Sequence, residues 1–173
     1  TPPPPRPRPD RQARGRGDEY PRQGEARQRG FDAATRAADF DAERVEVAPA
    51  LDFTVAAGLA TTRALLDATD DDARPDAIVA ANDLLAIGAI RAVRERGLSV
   101  PEDVAVTGMD DTEIGRVFQP SLTSVSLGST ERGRVAAQLV VDLVDGDAEP
   151  GRHPAVGPRL VERDCAAPGG GSR

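Results

Sequence analysis

PDAIVAANDLLAIGAIRAVRERGLSVPEDVAVTGMDDTEIGRVFQPSLTSV, residues 75–125, decides the fold. AIVAA (77–81) is a short, wholly apolar run, the pattern of a strand buried in a parallel sheet. Over 83–96 the apolar spacing turns helical, through Leu84, Leu85, Ile87, Ile90 and Val93, and Gly97 follows where a C′ glycine stops a helix. DVAVT (103–107) is a second strand, running into Gly108-Met109-Asp110-Asp111. A short helix over about 111–118 stops before Pro120, and LTSVS (122–126) is a third strand. Strands alternating with helices of this length predict βαβ units and a mostly parallel sheet. Such sheets hold ligands beyond the carboxyl ends of their strands. The two most polar strand ends are Asn82-Asp83 and Asp110-Asp111, so a site is expected there.

Working outward, residues 24–39 read as a helix with Ala26, Phe31, Ala34 and Ala38 near one face. RVEVA (44–48) alternates like a strand, ended by Pro49. Asp52 or Thr54 can cap a helix over about 54–68 that carries Val55, Leu59, Leu65 and Leu66. Beyond the central run, residues 129–145 are the most clearly amphipathic helix, with Val135, Leu139, Val140, Leu143 and Val144 on one stripe and Gly146 as its stop. PRLVER (158–163) reads as extended.

The chain has 173 residues, 39% hydrophobic and only 3% aromatic with no Trp, so a core must be aliphatic. This length suits one domain. Every basic residue is Arg. Residues 1–30 hold eight Arg and four acids, whereas 31–173 hold fourteen Arg and twenty-five acids. An acidic body opposes a broad nucleic-acid surface, which needs clustered cations. The Pro/Arg/Gly-rich head, residues 1–23, cannot bury enough apolar area to order itself and reads as disordered, with a weak nucleic-acid-binding arm as the alternative. It lacks the apolar segment of a signal peptide. No apolar run of about 18 residues occurs, so no membrane span is expected.

Catalytic chemistry finds little support. Cys165 and His153 are the single Cys and the single His, which excludes a disulfide framework, a Cys/His zinc site and most His-dependent catalysis. Cys165 reads as a bystander thiol near the C-terminus and His153 as a solvated loop residue. GxxxxGK[ST], GxGxxG and GxSxG are all lacking. The expectation is a non-enzyme without metal or cofactor. Binding remains. Asn82, Asp83 and Asp110 supply acceptors and an amide donor, the groups that recognise vicinal hydroxyls. A structural reading of the same residues stays open: Asn82 can cap the 83–96 helix, Asp83 can complement its dipole, and Asp110 or Asp111 can cap the next helix.

The residues quoted above closely resemble the effector-binding core of LacI/GalR-family bacterial transcription regulators. The likeness rests on A-N-D-x-x-A-x-G-A, on G-L-x-V-P-x-D-V-x-V-x-G-x-D-D and on P-x-L-T-x-V, and extends more weakly from about Arg27 to Pro168. It implies an α/β fold: a Rossmann-like parallel sheet forming a lobe of the periplasmic-binding-protein type I kind, incomplete in that a first lobe and a helix-turn-helix headpiece are absent. The domain organisation it implies is a disordered segment 1–23, an effector-binding and dimerisation lobe 24–168 with a crossover helix at 129–145, and a disordered tail 169–173.

Carried over by position, Asn82 and Asp110 bind effector hydroxyls, Arg27 grips the effector and Phe53 stacks on its face. Ile87, Ile90, Arg91 and Phe118 would face a partner subunit of a homodimer, though the two isoleucines fit an intrachain core equally well. The implied effector is a small carbohydrate or a related polyol or nucleoside. Its binding would control DNA binding by the headpiece in a cytoplasmic regulator, and Ser126-Leu127-Gly128-Ser129 after the P-x-L-T-x-V turn leaves the effector's identity open. The alternative within this fold is a sugar-binding protein of an ABC transport system. In the resemblance the 129–145 helix packs on the first lobe, so Val135, Leu139 and Leu143 are expected to be under-buried.

Overall fold

The computed structural model describes residues 19–41, 44–70, 73–147, 151 and 154–166. The chain divides into two compact units, residues 1–47 and 48–173.

Among its described residues, the first unit carries one helix, α1 (Glu19–Ala37). It begins ahead of the boundary expected at Gly24. Pro21 fits there because the first amides of a helix have no intrahelical partner, so the missing N–H costs nothing. Residues 1–18 of the expected disordered head and the 169–173 tail lie outside the described residues. Asp39, at φ 52°, turns the chain out of the helix. The Arg44 guanidinium then stands 5.8 Å from the centre of the Phe40 ring. The strand expected at 44–48 does not form: no described segment pairs with it, and Val47 is 54% exposed. Alternation suits a strand only where a neighbour supplies a ladder and a face to bury against.

The second unit is α/β. In order it contains α2 (Val55–Ala68), β1 (Ala77–Val79), α3 (Asp83–Glu95), β2 (Ala105–Met109), α4 (Glu113–Val117), β3 (Thr123–Ser126), α5 (Ser129–Asp145), β4 (Arg159–Val161) and a 3-10 turn (Asp164–Ala166). The strands lie in the order β1-β2-β3-β4. β1, β2 and β3 are parallel, with Val79 opposite Thr107 and Thr107 opposite Thr123. β4 returns antiparallel, with Val161 opposite Ser124. The βαβ reading of 75–125 therefore holds.

α3 organises the core. Ala86, Ala89, Ile90 and Val93 join Val104 and Val106 of the β2 segment, Leu122 beside β3, and Cys165 in one buried cluster. Fully burying a Val, Leu or Ile side chain contributes roughly 1.5–3 kcal/mol. Gly97 stops α3 at φ 75°, as expected of a C′ glycine. On its other side α3 meets α2 backbone to backbone. A Cβ on Gly58 would lie 2.3 Å from the Leu85 carbonyl oxygen, and one on Gly88 would lie 2.3 Å from that of Val55. Thr54 caps α2, accepting from the Ala57 amide at 3.2 Å, while the Asp52 carboxylate accepts from the Thr54 amide at 3.0 Å.

Three expectations are corrected or sharpened. AIVAA reads as a buried strand, yet β1 is an edge strand with Val79 61% exposed. An apolar run records the composition of a strand but not its place in the sheet. Cys165 is a buried, unreactive thiol, as read, but it also has a structural part: its Sγ accepts from the Thr123 amide at 3.0 Å, and its thiol donates to the Val106 carbonyl at 2.7 Å. It thereby bridges β2 and β3 at the start of their ladder, and burial pushes the thiol's pKa up. α5 buries none of its residues: Val135 and Leu139 are half-buried, while Val140, Val141, Leu143 and Val144 are exposed. The stripe is formed, as its spacing predicts, and the under-burial expected of it is present.

Candidate functional site

The carboxyl ends of β1 and β2 are neighbours because the strands are parallel and adjacent. Asn82 follows the first and Asp110 the second.

Asn82 takes an extended backbone, and its Oδ1 accepts from the Leu85 amide at 2.8 Å, capping α3. Its amide nitrogen donates to the Phe53 carbonyl at 3.3 Å. The capping reading is thus realised. The same side chain also ties the segment before α2 to the start of α3. An amide oxygen has two lone pairs and an amide nitrogen two hydrogens, so each retains capacity for a second bond. Asn82 is buried and Phe53 half-buried.

Asp83 does more than complement a dipole. It is 1% exposed. One carboxylate oxygen accepts from the Ser124 hydroxyl at 2.5 Å. The other accepts from the Thr112 amide at 2.6 Å and the Thr112 hydroxyl at 2.7 Å. Gly108 makes room for this carboxylate, because a Cβ there would lie 2.5 Å from Asp83 Oδ1.

Beyond β2 the backbone enters the left-handed region twice, at Asp110 (φ 109°) and Asp111 (φ 52°). Two such residues in a row are uncommon even for Asp, and surrounding bonds hold them here. Three successive amides are held here. Asp110 N–H donates to the Val125 carbonyl at 2.9 Å, Asp111 N–H to Ser124 Oγ at 3.0 Å, and Thr112 N–H to Asp83 at 2.6 Å. The Asp111 side chain, 4% exposed, takes two cations: Arg163 Nη2 at 2.5 Å and Arg116 Nη2 at 3.0 Å. Burial acts to raise the Asp111 pKa, but the bonds and charges of the two guanidinium groups outweigh it and hold the carboxyl below its ordinary value. Thr112, rather than Asp110 or Asp111, caps α4, accepting from the Gly115 amide at 3.3 Å.

Of the four residues expected to hold ligand, Asn82, Phe53 and Asp110 belong to the second unit, with Asn82 and Phe53 in direct contact. Arg27 lies on α1 in the first unit. Ile87 and Ile90 are buried within the chain, the alternative left open for them, since α3 packs on both α2 and the sheet. Arg91 is exposed, and Phe118 packs half-buried against the core. His153 lies outside the described residues. Sequence reasoning passed over Ser124, Thr112, Arg116 and Arg163. Their spacing gives no signal, because Arg163 reaches Asp111 across 52 positions.

The fold resembles known ones. Residues 14–165 match the model of the periplasmic binding protein-like domain. The HTH-type transcriptional regulator CelR of Thermobifida fusca is 43% identical over 96 residues, which is 56% of this chain and 27% of that protein. A LacI family transcriptional regulator from Enterococcus faecium, solved with bound ribose, superposes with a TM-score of 0.74 at 27% identity, over 86% of this chain and 53% of that one. The CelR–cellobiose complex superposes with a TM-score of 0.69 at 35% identity, over 81% of this chain and 42% of that one. The chain thus spans about a quarter of the curated CelR it matches and roughly half of each solved structure. Among the described residues, no helix is long and apolar enough to cross a membrane. By the matched model and by its likeness to these regulators, the chain belongs to the periplasmic binding protein-like domain family, in the form found in LacI-family transcriptional regulators.

Proposed function

We propose that this chain is the effector-sensing part of a LacI-type transcription regulator and that its effector is a small carbohydrate. The observation that carries the proposal is the position of Asn82 and Asp110 at the carboxyl ends of adjacent parallel strands, where this class of sheet takes its ligands. An amide and a carboxylate together offer donors and acceptors to neighbouring hydroxyls, and Phe53, whose backbone carbonyl Asn82 holds, adds an apolar ring. The ribose and cellobiose of two solved relatives support the ligand class.

In this reading the role is binding, without chemical conversion. The ligand favours one arrangement of the sensing domain over another and so alters DNA affinity. DNA is read by a helix-turn-helix headpiece of the regulator, in the cytoplasm, and the full regulator is a homodimer. The names of the relatives favour this over the transport alternative.

The test is a thermal-shift screen of ribose, cellobiose, lactose, adenine and guanine. A rise in melting temperature with at least one saccharide, diminished in Asp110→Asn, is expected, since binding at a hundredfold excess over Kd stabilises by about 2.7 kcal/mol. No shift with any saccharide, or an undiminished shift in Asp110→Asn, overturns the proposal.

A further inference from the structure

The turn that bears Asp110 is held by a buried carboxylate and its guanidinium partners. Asp111 is buried and points its carboxylate at Arg163 and Arg116. Arg163 is itself anchored: Nη1 donates to the Leu122 carbonyl at 2.6 Å, its amide donates to Thr123 Oγ1 at 2.8 Å, and Thr123 Oγ1 donates to the Arg163 carbonyl at 2.9 Å. One guanidinium therefore joins the segment after β4, the start of β3 and the turn after β2. Asp83 holds the other flank of the turn through Thr112 and Ser124.

We infer that Arg163, acting through Asp111, is the positioning residue of the site: together they impose the left-handed backbone at 110–111 and so fix the direction in which the Asp110 carboxylate leaves the strand end. The inference rests on the ligand role proposed for Asp110. Its physical basis is the strain of two consecutive non-glycine residues at positive φ. Left alone, these residues would relax toward the extended region, and Asp110 would leave the strand end in another direction. A charge-assisted bond on a buried carboxylate resists this, whereas one on an exposed carboxylate adds little. Arg163 is 16% exposed at its side chain and Asp111 4%, so the pair falls in the first class. Arg116, 55% exposed, is the lesser partner.

The experiment is residue-resolved amide hydrogen exchange on the whole chain, paired with calorimetric titration of ribose, cellobiose and lactose. Arg163→Gln and Asp111→Asn are compared with wild type and with Glu95→Gln, which breaks an exposed Arg63–Glu95 pair between α2 and α3. Exchange at Asp110, Asp111 and Thr112 should quicken about tenfold or more in Arg163→Gln and in Asp111→Asn, with α3 amides unchanged, given the usual strength of bonds to charged groups. Glu95→Gln should leave the turn as in wild type. Any saccharide bound by wild type should bind about tenfold more weakly to Arg163→Gln. Arg163→Lys, which keeps the charge but loses the fork that spans Leu122 and Asp111, should not restore it.

Unchanged protection at 110–112 in both variants overturns the inference. So does a loosened turn with undiminished affinity. If Arg163→Gln loosens α3 as well, the milder Asp111→Asn decides by the same readout. Should wild type bind none of the three sugars, the ligand reading of Asp110 fails separately, and the exchange data still decide whether Arg163 holds the turn.

Discussion

Asn82 Nδ2 donates to the Phe53 carbonyl at 3.3 Å while Asn82 Oδ1 caps α3 through the Leu85 amide at 2.8 Å. One side chain thus performs two structural tasks at the place where a ligand is expected. An alanine there tests stability and binding together. Asn82→Ala should cost about 1–2 kcal/mol in urea unfolding through the lost cap. Asn82→Asp keeps the capping oxygen and loses the amide donor. It should retain most of that stability and still weaken saccharide binding. If the two variants were equally destabilised, the cap would not be the source of the loss.

The α2–α3 contact is set by glycines. A Cβ on Gly88 would meet the Val55 carbonyl at 2.3 Å and the Leu59 amide nitrogen at 2.5 Å, and neither backbone atom can swing aside. Gly88→Ala should therefore destabilise the second unit by about 1–3 kcal/mol, despite alanine's better helix propensity. Gly133, in α5, has nothing within 4 Å of such a Cβ. Gly133→Ala should raise helicity by circular dichroism and leave the main unfolding midpoint unchanged. A stabilised Gly88→Ala protein would show that the helices are not in backbone contact.

Acid should act through Asp111. Its carboxyl is held below its ordinary value in the folded chain, so the folded state takes up a proton less readily than the unfolded one. The pairing then contributes fully above the unfolded-state value near pH 4, and fades as pH falls through the folded value. Asp111→Asn should be less stable than wild type at pH 7 by about 1.5–3 kcal/mol, having lost two ion pairs. The gap should close in urea melts at successively lower pH below about 4. A gap that stays constant down to pH 2 would mean that Asp111 is not the titrating group.

Cys165 gives a convenient report on the core, being the single thiol of the chain. It is fully buried, with its pKa pushed up by that burial. Ellman's reagent at pH 8 should react negligibly with native protein and completely in denaturant, because only an exposed thiolate attacks. Cys165→Ala leaves the Thr123 amide and the Val106 carbonyl buried without this partner, at a cost of about 1–3 kcal/mol. Rapid reaction of the native protein would contradict the bridge between β2 and β3.

The residues 75–125 were legible because their information is local. The period of Leu84, Leu85, Ile87, Ile90 and Val93, the stop at Gly97 and the polar strand ends all lie within a few positions of the features they specify. Asn82 as a cap was legible for the same reason. What escaped depends on partners far along the chain. Arg163 and Asp111, or Cys165 and Val106, meet only once β4 has folded back on β3. The 44–48 segment shows the converse failure. Its alternation is real, but a ladder needs a neighbour, and periodicity does not supply one. α5 has the stripe its spacing predicts, although Leu143 remains 62% exposed. A hydrophobic stripe shows that a helix can be covered, and leaves open what covers it.

The most direct test of the central claim is calorimetric titration of ribose, cellobiose and lactose into wild type and Asp110→Asn. The account predicts that wild type binds at least one of the three. Asp110→Asn should bind it at least about tenfold more weakly, as expected for loss of a charged hydrogen bond to a hydroxyl. Binding of the same sugar with equal affinity by both proteins, or of no sugar by wild type, would contradict it.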